Sequence, residues 1–157
     1  MKIKIICVGK TAKSFLIEGE NEYLNRLKHY VRVERIELPD IKNAKKLTEE
    51  QIKIAEGEQI LSKVSSGEAL FLLDEQGKEF SSEKFAAFLQ QKFNMGGHGI
   101  VFVIGGPYGF SEELYNASVG KLSLSKMTFS HQMIRMLFIE QVYRAMTILK
   151  GEPYHHR

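Results

Sequence analysis

The segment IVFVIGG, residues 100–106, constrains this chain more than any other. Five apolar residues follow one another, four of them β-branched, and the run stops at two glycines. Such a strand carries no polar face, so it must be covered on both sides. ALFLLD at 69–74 repeats the pattern, and IKIICVG at 3–9 is a short β-rich run ending in glycine. Between these runs the spacing turns helical. Residues 14–30 place Leu16, Tyr23, Leu27 and Tyr30 on one face, and Thr48 with Gln51 makes a capping box for a helix over 48–64. VRVERIEL at 31–38 alternates as a half-buried strand, broken by Pro39-Asp40. Gly77 is expected to turn the chain after the third strand. Ser81-Ser82 begins a helix with Phe85, Phe88, Leu89 and Phe93, which Gly96-Gly97 ends. Ser111 caps a short helix to about Val119, KLSLS at 121–125 is a brief strand, and a long helix spans 131–150. Strands separated by helices predict an α/β fold, a parallel sheet with helices on both faces, in one domain.

The long helix is apolar on more than one face, through Met133, Ile134, Leu137, Phe138, Val142 and Met146. Either the sheet and its neighbours bury it or a second copy of the chain covers it. The second, a symmetric two-fold contact, is the expectation.

Composition narrows the partners. The net charge of +3 is mildly basic, and residues 79–157 hold eight Lys/Arg against six Asp/Glu and four of the five histidines. That is compatible with an ordinary solvated surface and does not establish a nucleic-acid partner. No apolar run approaches the ~18 residues of a membrane span. Cys7 stands alone, without CxxC or zinc spacing, so core filler in a reducing compartment is expected, with no metal and a cytoplasmic location.

The turn Gly105-Gly106-Pro107-Tyr108-Gly109 sits where ligands bind in open α/β sheets, beyond a strand's carboxyl end. It matches neither GxGxxG nor GxxxxGK[ST], and the next helix opens with Glu112-Glu113, which repel phosphate. An uncharged or cationic ligand fits better, such as an adenosine attached to a sulfonium; a plain strand-to-helix turn is the competing reading. LSLSKMTFSH at 122–131 alternates small polar and apolar residues, which suits an adenine edge in an apolar pocket. FLLDEQGK lies at a third strand end, and the three turns together make one composite pocket.

VFVIGGPYGF, LSLSKMTFSHQMIRMLFIEQVYRA and the terminal GEPYHHR closely resemble the ribosomal RNA large subunit methyltransferase H family, small members of the SPOUT or α/β-knot methyltransferases. VGK at the start, EGEQIL at 56–61 and LDEQGK at 73–78 extend the resemblance over the whole chain. The resemblance implies a three-layer parallel-sheet domain over residues 1–157 with a C-terminal trefoil knot and no separate RNA-binding domain. It further implies a homodimer, S-adenosyl-L-methionine as methyl donor, and methylation at N3 of a pseudouridine in helix 69 of 23S rRNA on the assembled ribosome. Carried over by motif, the donor pocket involves Leu73, Gly105 and the run Leu124, Ser125, Lys126, Met127, Thr128 and Phe129. Relatives show one histidine before a basic residue at the end; here His155 and His156 stand together, and motif position selects His155.

Methylating that imide nitrogen requires its proton to leave, with help from a base or from cationic donors. His155, with Tyr154 beside it, is the first candidate, in a tail that a partner subunit or RNA would have to order; the two residues could equally anchor a C-terminus. Arg135 is a candidate for a phosphate or the uracil carbonyls, against a salt bridge. His131 is a candidate for substrate contact or for capping the helix, and Pro107 and Tyr108 for stacking on a base or shaping the turn. Glu56 reads as a solvated helix-surface residue. A SPOUT enzyme acting on tRNA, a non-catalytic RNA- or nucleotide-binding module and a structural ribosome-assembly factor are the alternatives.

Overall fold

The computed structural model describes residues 2–156. Its elements run β1 (Lys2–Val8), α1 (Ser14–Leu27), β2 (Arg32–Leu38), α2 (Glu49–Ser62), β3 (Ala69–Glu79), α3 (Ser82–Asn94), β4 (Ile100–Ile104), α4 (Glu112–Ala117), β5 (Gly120–Ser123) and α5 (Met133–Leu149). A short 3-10 turn at Ala44–Lys46 precedes α2. The five strands form one sheet in the order β2-β1-β4-β3-β5, and every pairing is parallel. All strands therefore end on the same edge.

The apolar runs explain the layers. Ile3, Ile5 and Cys7 of β1 and Ile100, Phe102 and Ile104 of β4 face a cluster built with α1, α3 and α5. Ile6, Val8, Val101 and Val103 face the other way, onto α2 and α4. The three-layer α/β architecture is the one the buried strands require. Serine and threonine set the helix starts: Thr48 and Gln51 cap each other's backbone N–H at 3.1 and 2.9 Å. Ser81 accepts from Lys84 N and Ser111 from Leu114 N, each cap contributing about 1 kcal/mol.

Two expectations are corrected here. Gly77 does not turn the chain. β3 continues to Glu79, and both Leu73 and Lys78 pair with Leu122, so residues 74–77 bulge out of the ladder. Gly77 is needed because a Cβ there would lie 2.5 Å from the Leu122 backbone nitrogen. The apolar breadth of α5 also does not call for a second chain. α1 and α3 flank it: Phe138 meets Phe102 and Phe85 at ring separations of 4.9 and 6.1 Å, and Tyr143 meets Tyr23 at 5.9 Å. Gly19 lets α1 approach so closely that a Cβ would clash with the Met136 sulfur. Among the α5 residues singled out, Met133 is exposed and Ile134 and Leu137 are half-buried.

Candidate functional site

The carboxyl ends of β3, β4 and β5 enclose a cavity of about 330 Å³. Leu73, Asp74 and Gln76 come from the β3 bulge, Gly105, Gly106 and Pro107 from the turn after β4, and Leu124, Ser125, Met127 and Phe129 from the segment after β5. His131 and Ile134 close it from the start of α5. The three turns thus meet, as the composite-pocket reading requires. Lys126 and Thr128 are exposed and outside the wall, and so is Tyr108 at 45% exposure.

The glycines do different work from that expected. A Cβ on Gly105 would strike the Phe110 ring at 2.7 Å, and one on Gly106 would lie 3.2 Å from the Glu56 carboxylate. The space their missing side chains leave is filled by the chain itself. Gly109 has φ +83°, a left-handed conformation that only the turn needs. The β5 segment is stiffened from within: Ser123 Oγ donates to Ser125 O at 2.8 Å, and Ser125 Oγ accepts from Met127 N at 3.0 Å. Ser130, which the sequence reading passed over, accepts from Met133 N at 3.0 Å and caps α5, so His131 is free of that duty.

Arg135 does not reach the cavity. It is fully buried and donates to Val8 O at 2.6 Å, Gly9 O at 2.9 Å, Thr11 Oγ1 at 3.0 Å and His131 O at 3.2 Å. The contact with a phosphate or uracil expected of it is closed off; it ties α5 to the end of β1. Around it Thr11 donates to Glu20 at 2.7 Å, Arg35 bridges Glu20 and Thr11, and Glu37 accepts from Thr11 N at 2.6 Å. Burial disfavours the charge on Glu37, yet the Thr11 N–H, Arg35 and Arg135 hold its carboxyl below the usual range. Burial pushes the Cys7 thiol up to about 11, an inert core group.

Glu56 is a further correction. It is buried on α2 behind Gly106, with no hydrogen bond or ion pair among the described residues, and burial and then Asp40 raise its pKa.

The tail folds back along α5. Gly151 takes φ +68°, and Gly151 N and Glu152 N donate to Ile148 O and Thr147 O, the double bond of a Schellman motif. Tyr154 then stacks edge-on to Tyr143 at 4.7 Å and donates to Glu140 at 3.2 Å. Arg144 holds Glu140 and lies 3.1 Å from His155 Nδ1. Arg144 offers only N–H groups, so Nδ1 accepts, and His155 Nε2 carries the proton it donates to Glu83 at 3.1 Å. Neither partner nor RNA is needed to order this tail. Arg144 and Glu140 pair one turn apart on α5, and Glu83 is brought to them by the fold. Burial, the Tyr23 hydroxyl and Glu140 push the Tyr154 phenol up, so it stays protonated at neutral pH. Tyr154 and His155 are absent from the first cavity's wall. Glu140, which accepts from Tyr154, lines a second cavity of about 400 Å³ between α3, β5 and α5, which shares Leu122, Ser123, Leu124 and Phe129 with the first.

Residues 1–155 match the family model described as "Predicted SPOUT methyltransferase". The chain belongs to the SPOUT methyltransferase family. Membership carries with it the C-terminal trefoil knot implied for the class. Similar SPOUT proteins include those named "Ribosomal RNA large subunit methyltransferase H" from Parabacteroides distasonis, 57% identical over 99% of both chains, and Christiangramia forsetii, 55% identical over 100% of both. The Bacteroides fragilis protein of that name is 49% identical over 99% of both. A solved structure from Haemophilus influenzae Rd KW20, described as a probable methylase family protein, matches with TM-score 0.53 at 15% identity, over 99% of this chain and 70% of that one. At that identity the likeness speaks to the fold alone. Among the described residues no group of His, Cys, Asp or Glu is placed to hold a metal, and no helix is long and apolar enough to cross a membrane.

Proposed function

We propose that this SPOUT methyltransferase transfers a methyl group from S-adenosyl-L-methionine to N3 of a pseudouridine in helix 69 of 23S rRNA. It does so on the assembled ribosome, in the cytoplasm, as a homodimer whose protomers are each one catalytic domain. The observation that carries the reading is the convergence of Leu73, Gly105 and the 124–129 segment on one cavity.

That cavity fits the donor. Its volume is at the lower end of ordinary ligand sites, and its walls are apolar, from Leu73, Ile104, Leu122, Leu124, Met127 and Phe129. Asp74 and Glu75 stand at its edge while, among the described residues, no lysine or arginine lines it, which favours a cation and disfavours a phosphate. Asp74 is fixed by Tyr115 and by Gln76 N. When bound, the donor would supply a methyl group from its sulfonium, with the neutral thioether as leaving group. The chain's own task is alignment of the acceptor nitrogen with that methyl, which can account for most of the acceleration.

The imide proton falls to the tail. His155 accepts it at Nδ1 once Arg144 has released that nitrogen, forming the imidazolium while Nε2 keeps its own proton, still donated to Glu83. Arg144, cationic and adjacent, stabilises the anion that forms on the uracil ring. Tyr154 remains a donor. Pro107, Tyr108 and His131 stand at the cavity's mouth, in reach of an entering nucleotide. Because no described residue of a protomer's own tail lines its first cavity, the reading assigns completion of the site to the partner's tail. An apolar patch suits such a partner: Phe15 is 59% and Met133 40% exposed, each about one turn from the Gly19–Met136 contact.

Mass spectrometry of 23S rRNA from cells lacking the protein tests this. One methyl group should disappear from one pseudouridine, and purified protein with donor should restore it on whole ribosomes far better than on a short hairpin. Unchanged rRNA, or equal rates on hairpin and ribosome, would overturn the reading.

A further inference from the structure

Among the described residues the cavity's wall holds no lysine or arginine, yet the proposed substrate is a polyanion. The charge lies beside it. All strands end on one edge, so the loops there line up in the order of the sheet: 39–48 over β2, 9–13 over β1, then 105–111 over β4. The first two carry Lys42, Lys45, Lys46, Lys10 and Lys13 against one carboxylate, Asp40. That surplus exceeds the +3 of the whole chain. Residues 28–31 and 63–68, at the opposite edge, hold only Lys28 and Lys63, with Glu68 bound to Lys4.

These five lysines are exposed, and none has an ion-pair or aromatic partner among the described residues. Lys2 pairs with Glu34, Lys4 with Glu68 and Lys53 with Glu50, while Lys78, Lys92 and Lys121 lie over aromatic rings. Lys28, Lys63, Lys84, Lys126 and Lys150 are exposed and unpaired too, but each stands singly in its segment, so the grouping on two adjacent loops is what sets the five apart. The rail is also anchored to the site. Gln132, next to His131 in the cavity wall, accepts from Ala12 N at 2.8 Å and donates to Lys10 O at 3.0 Å. This clamp fixes the Lys10–Lys13 loop at the mouth. Adjacent strands lie about 4.8 Å apart, so β2 is about 10 Å from β4 and the rail leads directly to the glycine turn.

We infer that Lys10, Lys13, Lys42, Lys45 and Lys46 form a phosphate-gripping rail for the RNA strand that flanks the target base. The inference rests on the proposed rRNA substrate. It divides the work of the sheet edge: the loops over β1 and β2 hold the RNA backbone, and the turns over β3, β4 and β5 hold the donor and the base.

The test compares the wild type with K10Q/K13Q/K42Q/K45Q/K46Q and with the control K28Q/K63Q. Ribosome binding is measured across salt, alongside methylation kinetics and donor calorimetry. The rail variant should raise KM about ten-fold or more with kcat within about two-fold, and each lost phosphate contact should flatten the log–log salt slope by about 0.7–0.9. Donor affinity and the control should match the wild type, and binding to protein-free 23S rRNA should weaken in parallel. A rail variant with wild-type affinity and salt slope overturns the inference. So does one that loses ribosomes but binds protein-free rRNA normally, which would place the lysines against a ribosomal protein. If the wild type shows rail-dependent rRNA binding but transfers no methyl group to it, the rail stands and the proposed reaction falls.

Discussion

One sheet edge carries two polar regions built to opposite ends. Over β1 and β2, Arg135, Arg35, Glu20, Glu37 and Thr11 are drawn together, their charges balanced and their donors matched to carboxylates, carbonyls and a hydroxyl. Over β3, β4 and β5, the backbone turns stand around an open cavity with Asp74 and Glu75 at the edge. Within the first cluster these side chains are spent on one another, and only the lysines outside it stay available. The second leaves a ligand room and a charge preference. A conspicuous arginine next to a cavity is therefore not evidence of substrate contact; what decides is whether its donors are already taken.

The largest expected effect comes from breaking the closed region. Arg135→Ala removes the donor to four backbone or hydroxyl acceptors, Val8 O, Gly9 O, Thr11 Oγ1 and His131 O, and one of the cations facing Glu37. It should cost about 3–5 kcal/mol in urea unfolding, and Arg135→Lys should not restore the forked geometry. Arg144→Ala, at a partly exposed pair, should cost under about 1 kcal/mol while impairing turnover.

The open region breaks differently. Leu124→Arg puts a charge into the cavity wall and should lower donor affinity about 100-fold or more by calorimetry, with a smaller loss of stability than Arg135→Ala. His155→Ala should lower kcat about 100-fold or more with donor affinity unchanged. Mixed in equal amounts and refolded together, these two inactive variants should regain about a quarter of wild-type turnover, since half the dimers then hold one intact composite site. No recovery would place the tail with its own protomer's cavity.

The smallest effect lies between the regions, at Glu56. Its folded pKa is raised by burial and by Asp40, so the folded state holds that proton more tightly than the unfolded chain. Its contribution to stability therefore falls as pH rises from the ordinary glutamate range to the raised folded value. Glu56→Gln should remove that part of the pH dependence and raise Tm at neutral pH by a few degrees, at about 2–4 °C per kcal/mol. Unaltered pH dependence would show that Glu56 is solvated after all.

The same contrast shows what was readable beforehand. The capping box at Thr48 and the buried strands were legible because each is a short-range pattern with one physical outcome. Gly77 was misread because a glycine looks the same in a turn and in a strand whose neighbour passes too close for a Cβ. Glu56 was misread because its helix gives no sign that the 105–109 turn will fold over it. Arg144 and Glu83 were missed as partners of His155 because the Gly151 reversal that brings them together acts across the fold.

Local patterning by itself determined the layered α/β sheet and the turns that end its strands, and the motifs it carries pointed to the methyltransferase family to which the chain belongs. Tertiary structure alone decided which polar groups satisfy one another and which stay available. Hydrogen bonds and desolvation depend on neighbours far apart in the chain, and Val8 and Arg135 become neighbours only once α5 has packed against the sheet.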